Sequence, residues 1–177
     1  MNNLERRDQQ ILYISDDAVF EEQKKCRNIL QKLNFMDRAD FAGISALVKE
    51  LFGTSDGAFL NPPFYCDYGS HIHVGKNFFA NYNCTIIDVA PVVIGDNCQM
   101  APNVAIYTAG HPVHPATRNT AYEYGIGVTI GHNLYMQETE DTIREDRLCC
   151  VEITIDHMTG KIGRQMLLER QREEKAK

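Results

Sequence analysis

No window of this 177-residue sequence approaches the length and apolarity of a membrane span, and its start, MNNLERRDQQ, has no apolar core of signal-peptide length. Both lacks point to the cytoplasm and to no membrane partner. Basic residues are in deficit: 18 Lys and Arg stand against 24 Asp and Glu, a formal net charge of −6. Nothing in the chain concentrates enough cations to offset that charge, which argues against a generic nucleic-acid or anionic-membrane surface. Small neutral or cationic partners remain compatible with it. None of the six cysteines (Cys26, Cys66, Cys84, Cys98, Cys149 and Cys150) has CxxC spacing, so they read as buried small apolar residues of a reducing compartment. What is there suits one ordinary domain, long enough to bury a core without disulfides.

Residues 1–56 read as helical. Cys26, Ile29, Leu30 and Leu33 fall on one helix face, and Ser15, Asp16 and Asp17 are candidates to cap that helix. A third helix fits Phe41, Ile44, Val48, Leu51 and Phe52, between Asp40 as cap and Gly53 as stop. Such short helices cannot bury their stripes alone and must pack on the chain downstream of them. Tyr13, Asp16 and Asp17 are aromatic and acidic groups suited to meeting a polyol, although capping and the helix dipole account for the aspartates as well. Gly53-Thr54-Ser55-Asp56-Gly57 reads as a linker.

From Val74 the spacing changes. Val74, Ala80 and Ile86 fall six apart, as do Ile94, Met100 and Ile106, and Ile130 and Met136 resume the count after an interruption. Gly75, Gly95 and Gly131 come directly after the first member of each block. Neither a helix nor an ordinary strand has period six, whereas a parallel β-helix with one hexapeptide per side does. The glycines are expected to turn the corners. The interruption, IYTAGHPVHPATRNTAYEYGIGVTIG, is a polar loop thrown out of a repetitive scaffold, and it carries His111, His114, Arg118 and Glu123.

The helical start with LYISDD, and the motifs ANYN, IGDN, APN and TAGHP, resemble the maltose and galactoside O-acetyltransferases of the hexapeptide-repeat acyltransferase superfamily, from about residue 3 to about residue 136. The resemblance implies a mainly β fold: a shortened left-handed parallel β-helix over residues 57–136 with a catalytic-type loop at 107–127, preceded by a helical segment over 1–56. It also implies a homotrimer with active sites between subunits, and acetyl transfer from acetyl-CoA to a hydroxyl of a maltose, glucose or galactoside type of sugar. His111, in TAGHP, matches the general base, a role that suits histidine because its ordinary pKa lies near neutrality. Asp67, Asn81 and Glu123 match substrate-facing positions, and Asp17 or Asp16 joins them from the helices. The residues themselves also fit plainer roles: Asn81 a corner, Asp67 a turn before Tyr68-Gly69, Glu123 loop surface. His114 and Arg118 read as structural or surface groups. No cysteine nucleophile is required.

His71 and His73 share a strand face and raise a zinc alternative, as in carbonic anhydrases built on the same coil. Two histidines with no third ligand do not define a site, so no metal is assigned. After Met136 the text changes to QETEDTIREDRLCCVEITIDHMTGKIGRQMLLERQREEKAK, where the resembling proteins continue with WIGGN-like hexapeptides and a GNP motif. Tyr135 stands in place of their tryptophan and is the one candidate acetyl-CoA contact left. Residues 137–177 therefore read as a divergent tail from truncation or rearrangement, with a strand near Cys150–Asp156 and a helix from Ile162. The missing repeats supply most of the acetyl-CoA pocket in the resembling enzymes, so weak acetyl-CoA binding is expected, with a non-catalytic remnant as the competing reading.

Overall fold

The N-terminal helices start where capping side chains allow. In the computed structural model, which describes residues 1–132 and the strand at 135–136, helix α1 (Asn3–Asp8) opens with a capping box between Asn2 and Glu5. A two-residue strand, β1 (Tyr13–Ile14), comes next. Asp16 caps helix α2 (Asp17–Phe35) by accepting from the Val19 amide at 3.2 Å, and Asp40 caps α3 (Phe41–Leu51) by accepting from the Gly43 amide at 2.8 Å. Cys26, Leu30 and Leu33 of α2 and Ile44, Val48 and Leu51 of α3 are buried in one continuous core with the strands downstream. The expectation that these helices find their packing partner later in the chain is met.

Those strands stack as coils. The first coil is β2 (Thr54–Asp56), β3 (Phe59–Leu60) and β4 (Phe64–Cys66); the second is β5 (Ile72–Lys76), β6 (Phe79–Ala80) and β7 (Cys84–Ile87). The third is β8 (Val92–Ile94), β9 (Gln99–Met100) and β10 (Ala105–Tyr107). The loop contains β11 (Ala109–Gly110), helix α4 (Pro115–Arg118) and β12 (Tyr122–Gly125), after which β13 (Val128–Ile130) and β14 (Tyr135–Met136) begin a fourth coil. Every strand pairing between coils is parallel, giving three sheets in the orders β13-β8-β5-β2, β14-β9-β6-β3 and β10-β7-β4. This is a parallel β-helix.

Stacking keeps the apolar positions in register: Val74 lies opposite Ile94, Ala80 opposite Met100, and Ile86 opposite both Cys66 and Ile106. All seven are buried. Three coils and part of a fourth are present, one more than the period-six blocks from Val74 suggest. Thr54–Asp56, within the expected linker, already pairs with β5, although with an irregular register.

The corners also differ from expectation. Among the described residues Gly75, Gly95 and Gly131 do not have positive φ; Asn77, Asn83, Asn97 and Asn103 do, at 55°, 61°, 57° and 64°. Asparagine tolerates that left-handed conformation, and its amide then bonds to the same position of the next coil, Asn77 to Asn97 at 3.0 Å and Asn83 to Asn103 at 2.8 Å. Glycine serves a different need. A Cβ on Gly75 would sit 2.2 Å from Asp96 Oδ1 and 2.8 Å from the Asp96 amide nitrogen, so the coils could not approach as they do.

No described helix is long and apolar enough to cross a membrane. The tail's strand and helix lie outside the described residues. Ile86, fully buried in the middle coil, should be a sensitive point of the stack. Ile86→Ala is expected to cost about 2–5 kcal/mol in urea unfolding, whereas Val93→Ala, on the outer face, should cost under about 1 kcal/mol; equal costs would contradict the stacked core.

Candidate active site

One edge of the β-helix is built with surplus chain. Inward residues are six apart along most of the coil, but Cys66 and Val74 are eight apart, as are Ile86 and Ile94, and the loop between Ile106 and Ile130 leaves from the same edge. Residues far apart in sequence are thereby layered on one another. Asp88 Oδ1 accepts from the amides of Asp67 and Tyr68, both at 2.9 Å, tying the second layer to the first. Thr108 is buried; its hydroxyl donates to the Ile87 carbonyl at 2.8 Å and accepts from the Ala90 amide at 2.9 Å, tying the loop's first residues to the second layer.

The loop folds back on itself and is held from outside. β11 and β12 pair antiparallel with Gly110 opposite Tyr124, and a Cβ on Gly110 would lie 2.6 Å from the Tyr124 ring, so glycine is required just before His111. β1 adds to the far side of β12, with Tyr13 opposite Glu123 and Ile14 opposite Tyr122. Gln10 Oε1 accepts from the Gly127 amide at 2.8 Å. A strand more than a hundred residues upstream thus closes the loop.

His111 is exposed, with Nδ1 3.4 Å from the Tyr122 carbonyl oxygen. A carbonyl can only accept, so this contact favours the proton on Nδ1 and leaves Nε2 with a free lone pair. Glu123 is half-buried and accepts from the Tyr13 hydroxyl at 2.9 Å and the Ser15 hydroxyl at 3.3 Å. Asp67 is also half-buried. Burial pushes its carboxyl up first, the Asp88 charge adds to that, Arg27 opposes it, and Glu123 is near enough to raise it further. Asp88 Oδ2 is buried with no hydrogen-bond partner among the described residues.

Other candidates sit elsewhere. Tyr13 is fully buried and cannot meet a polyol directly, which corrects that expectation. Asp16 caps α2 and accepts from Asn3 Nδ2 at 2.9 Å, a bond that holds its carboxyl below the ordinary range together with the Val19 amide. Asp17 is exposed on the first turn of α2 and takes part in none of these bonds. Asn81 lies just after β6, on a different edge from His111; its Oδ1 accepts from Asn61 Nδ2 at 3.3 Å and the Tyr82 amide at 2.8 Å. The left-handed corner is its neighbour Asn83, not Asn81. His114 caps α4 by accepting from the Ala116 amide at 3.2 Å. The backbone of Tyr135 belongs to β14, and its side chain lies outside the described residues.

His71 and His73 turn to separate partners, the Asp88 carbonyl at 2.7 Å and the Thr54 hydroxyl at 3.2 Å. Among the described residues no group of three His, Cys, Asp or Glu side chains is placed to hold a metal. Cys26, Cys66, Cys84 and Cys98 are buried thiols outside any disulfide. Sequence reasoning missed the layering role of Asp88 and Thr108; the signal available for it was the spacing of eight where six was expected.

A parallel β-helix of stacked hexapeptides with a histidine-bearing loop at one edge is the arrangement that the resemblance to hexapeptide-repeat acyltransferases leads one to expect. The chain is similar to a maltose O-acetyltransferase from Clostridium difficile, with a TM-score of 0.75 and 36% identity over 76% of this chain and 73% of that one. It is also similar to a galactoside acetyltransferase solved in complex with coenzyme A, with a TM-score of 0.72, 36% identity, and coverage of 76% of this chain and 68% of that one. In sequence it is 38% identical to the galactoside O-acetyltransferase of Escherichia coli over 117 residues, 66% of this chain and 58% of that protein. No protein-family model matches the sequence. The chain belongs to the maltose and galactoside O-acetyltransferase family of hexapeptide-repeat acyltransferases. It spans about three fifths of the length of the curated relatives it matches.

The Asp67 environment carries a pH signature. A carboxyl raised in the fold holds its proton more tightly folded than unfolded, so its contribution is whole below its ordinary value of 3.8 and is lost as pH rises through the raised one. Asp67→Asn is therefore expected to raise Tm at pH 7, with the gain shrinking towards pH ~4. A Tm unchanged or lowered at pH 7 would contradict the burial and charge crowding described for this carboxyl.

Proposed function

We propose that the chain is an acetyl-CoA-dependent sugar O-acetyltransferase with His111 as general base. Support comes first from membership of a family whose solved members include maltose and galactoside acetyltransferases, one of them with coenzyme A bound. The observation that carries the reading within this chain is the placement of His111 and Glu123 on one hairpin, over the edge that holds Asp67.

In the reaction, Nε2 of His111 takes the proton of a sugar hydroxyl as the oxygen attacks the thioester carbonyl of acetyl-CoA. The O–C bond forms and the C–S bond breaks, and the imidazolium returns its proton to the departing thiolate. The Tyr122 carbonyl stabilises the imidazolium through Nδ1–H while it exists. Glu123, Asp67 and Asn81 face the acceptor sugar, with Asp17 an outer contact. Burial opposes the Asp67 charge, and its carboxylate oxygens can accept from a sugar hydroxyl. In a homotrimer, Asn81 of a neighbouring subunit would meet the His111 edge that it does not reach within one chain.

His111→Ala is expected to lower the rate of acetyl transfer from acetyl-CoA to a maltose or galactoside acceptor by about 10²–10⁴-fold, with the fold unchanged by circular dichroism. Undiminished turnover would remove His111 as the base.

A further inference from the structure

Glu123 is the carboxylate of the loop, and its two oxygens have separate donors, both from the N-terminal segment. The Tyr13 hydroxyl lies 2.9 Å from Oε2 and the Ser15 hydroxyl 3.3 Å from Oε1. Tyr13 is 0% exposed, so neither solvent nor a substrate can compete for its hydroxyl. Its ring packs with Val19, Tyr68 and Val89 in a small core separate from that of the β-helix. The Arg7 guanidinium lies 4.5 Å over the Tyr68 ring, and Arg7 is itself held by Glu22 at 2.7 Å and Asp8 at 2.8 Å. The donor to Glu123 is thus held within a packed cluster. The pairing of β1 with β12 sets Tyr13 opposite Glu123 and Ile14 opposite Tyr122, whose carbonyl faces His111 Nδ1.

We propose that Tyr13 is a positioning residue for acetyl transfer: its buried hydroxyl, with Ser15 beside it, orients the Glu123 carboxylate that faces the acceptor sugar. This rests on the acetyltransferase reading of His111 and Glu123. A carboxylate offers about four lone-pair sites, so two donors at its inner side leave the outer ones for a sugar hydroxyl in a single orientation. Without the inner bonds the side chain can rotate at the end of a loop, and a displacement of about 1 Å near a reacting group costs up to about 10²-fold in rate.

The test is a double-mutant cycle on kcat/KM for acetyl transfer to a sugar, with Tm measured in parallel. Tyr13→Phe keeps the ring and removes only the hydroxyl; it is expected to lower kcat/KM by about 10–100-fold, and Ser15→Ala by less. The double variant Tyr13→Phe with Glu123→Gln should be no slower than Glu123→Gln alone, because the hydroxyl acts through the carboxylate. A tyrosine that merely supports the fold would multiply its effect onto that of Glu123→Gln. Multiplicative effects, or full turnover by Tyr13→Phe, overturn the inference alone. Absence of turnover by the unaltered chain overturns the acetyltransferase reading and this inference with it. Should Tyr13→Phe fail to fold, Glu123→Asp replaces it by drawing the carboxylate back from the hydroxyl, and full turnover there overturns the inference.

Discussion

The parallel register between coils is the constraint on which everything else rests. Each inward apolar residue stacks on its equivalent one coil away, Val74 on Ile94, Ala80 on Met100 and Ile86 on Ile106, and a slip of one residue would turn every one of them outward. Surplus chain can therefore leave only at a corner, and here it leaves at the same corner in each coil. That edge collects Asp67 and Tyr68 from one layer, Asp88 from the next, and the His111 loop from the third. These groups are close in space because the core is periodic in sequence.

The second dependence runs through the N-terminal segment. Helices α2 and α3 share the core of the β-helix, while β1 reaches the opposite side of the loop and closes it as a third strand. The buried polar groups in this region all have polar partners: Arg7 has Glu22 and Asp8, Tyr13 has Glu123, and Asp88 has two amides. Burial opposes the Arg7 charge, but the hydrogen bonds to Asp8 and Glu22 outweigh it and strengthen its hold on its proton. Asp88 Oδ2 and the raised Asp67 carboxyl mark the stress that remains, and both lie at the site edge rather than in the apolar core.

Much of this was legible in the residues. The spacing of Val74, Ala80 and Ile86 reports the coil directly, because one hexapeptide makes one side, and Asp16 and Asp40 announce their helices because a cap is a local requirement. The first coil was hidden because Thr54–Asp56 pairs irregularly and lacks an apolar marker among its residues. Corners were assigned to glycine because glycine adopts left-handed backbone most readily, whereas the structure uses asparagine, which adds a ladder of side-chain bonds between coils. In sequence Tyr13 reads, with Asp16 and Asp17, as a group suited to meeting a polyol. Its partner lies 110 residues away, and no local pattern encodes so distant a hydrogen bond.

The central claim is that this edge of the β-helix transfers an acetyl group to a sugar. The most direct measurement is to incubate the purified chain with radiolabelled acetyl-CoA and a panel of maltose, glucose and galactosides, separating sugars from donor at intervals. Label in an acetylated sugar, matched by an equal amount of free coenzyme A thiol, is the predicted result. Label that stays in acetyl-CoA across the whole panel would contradict it.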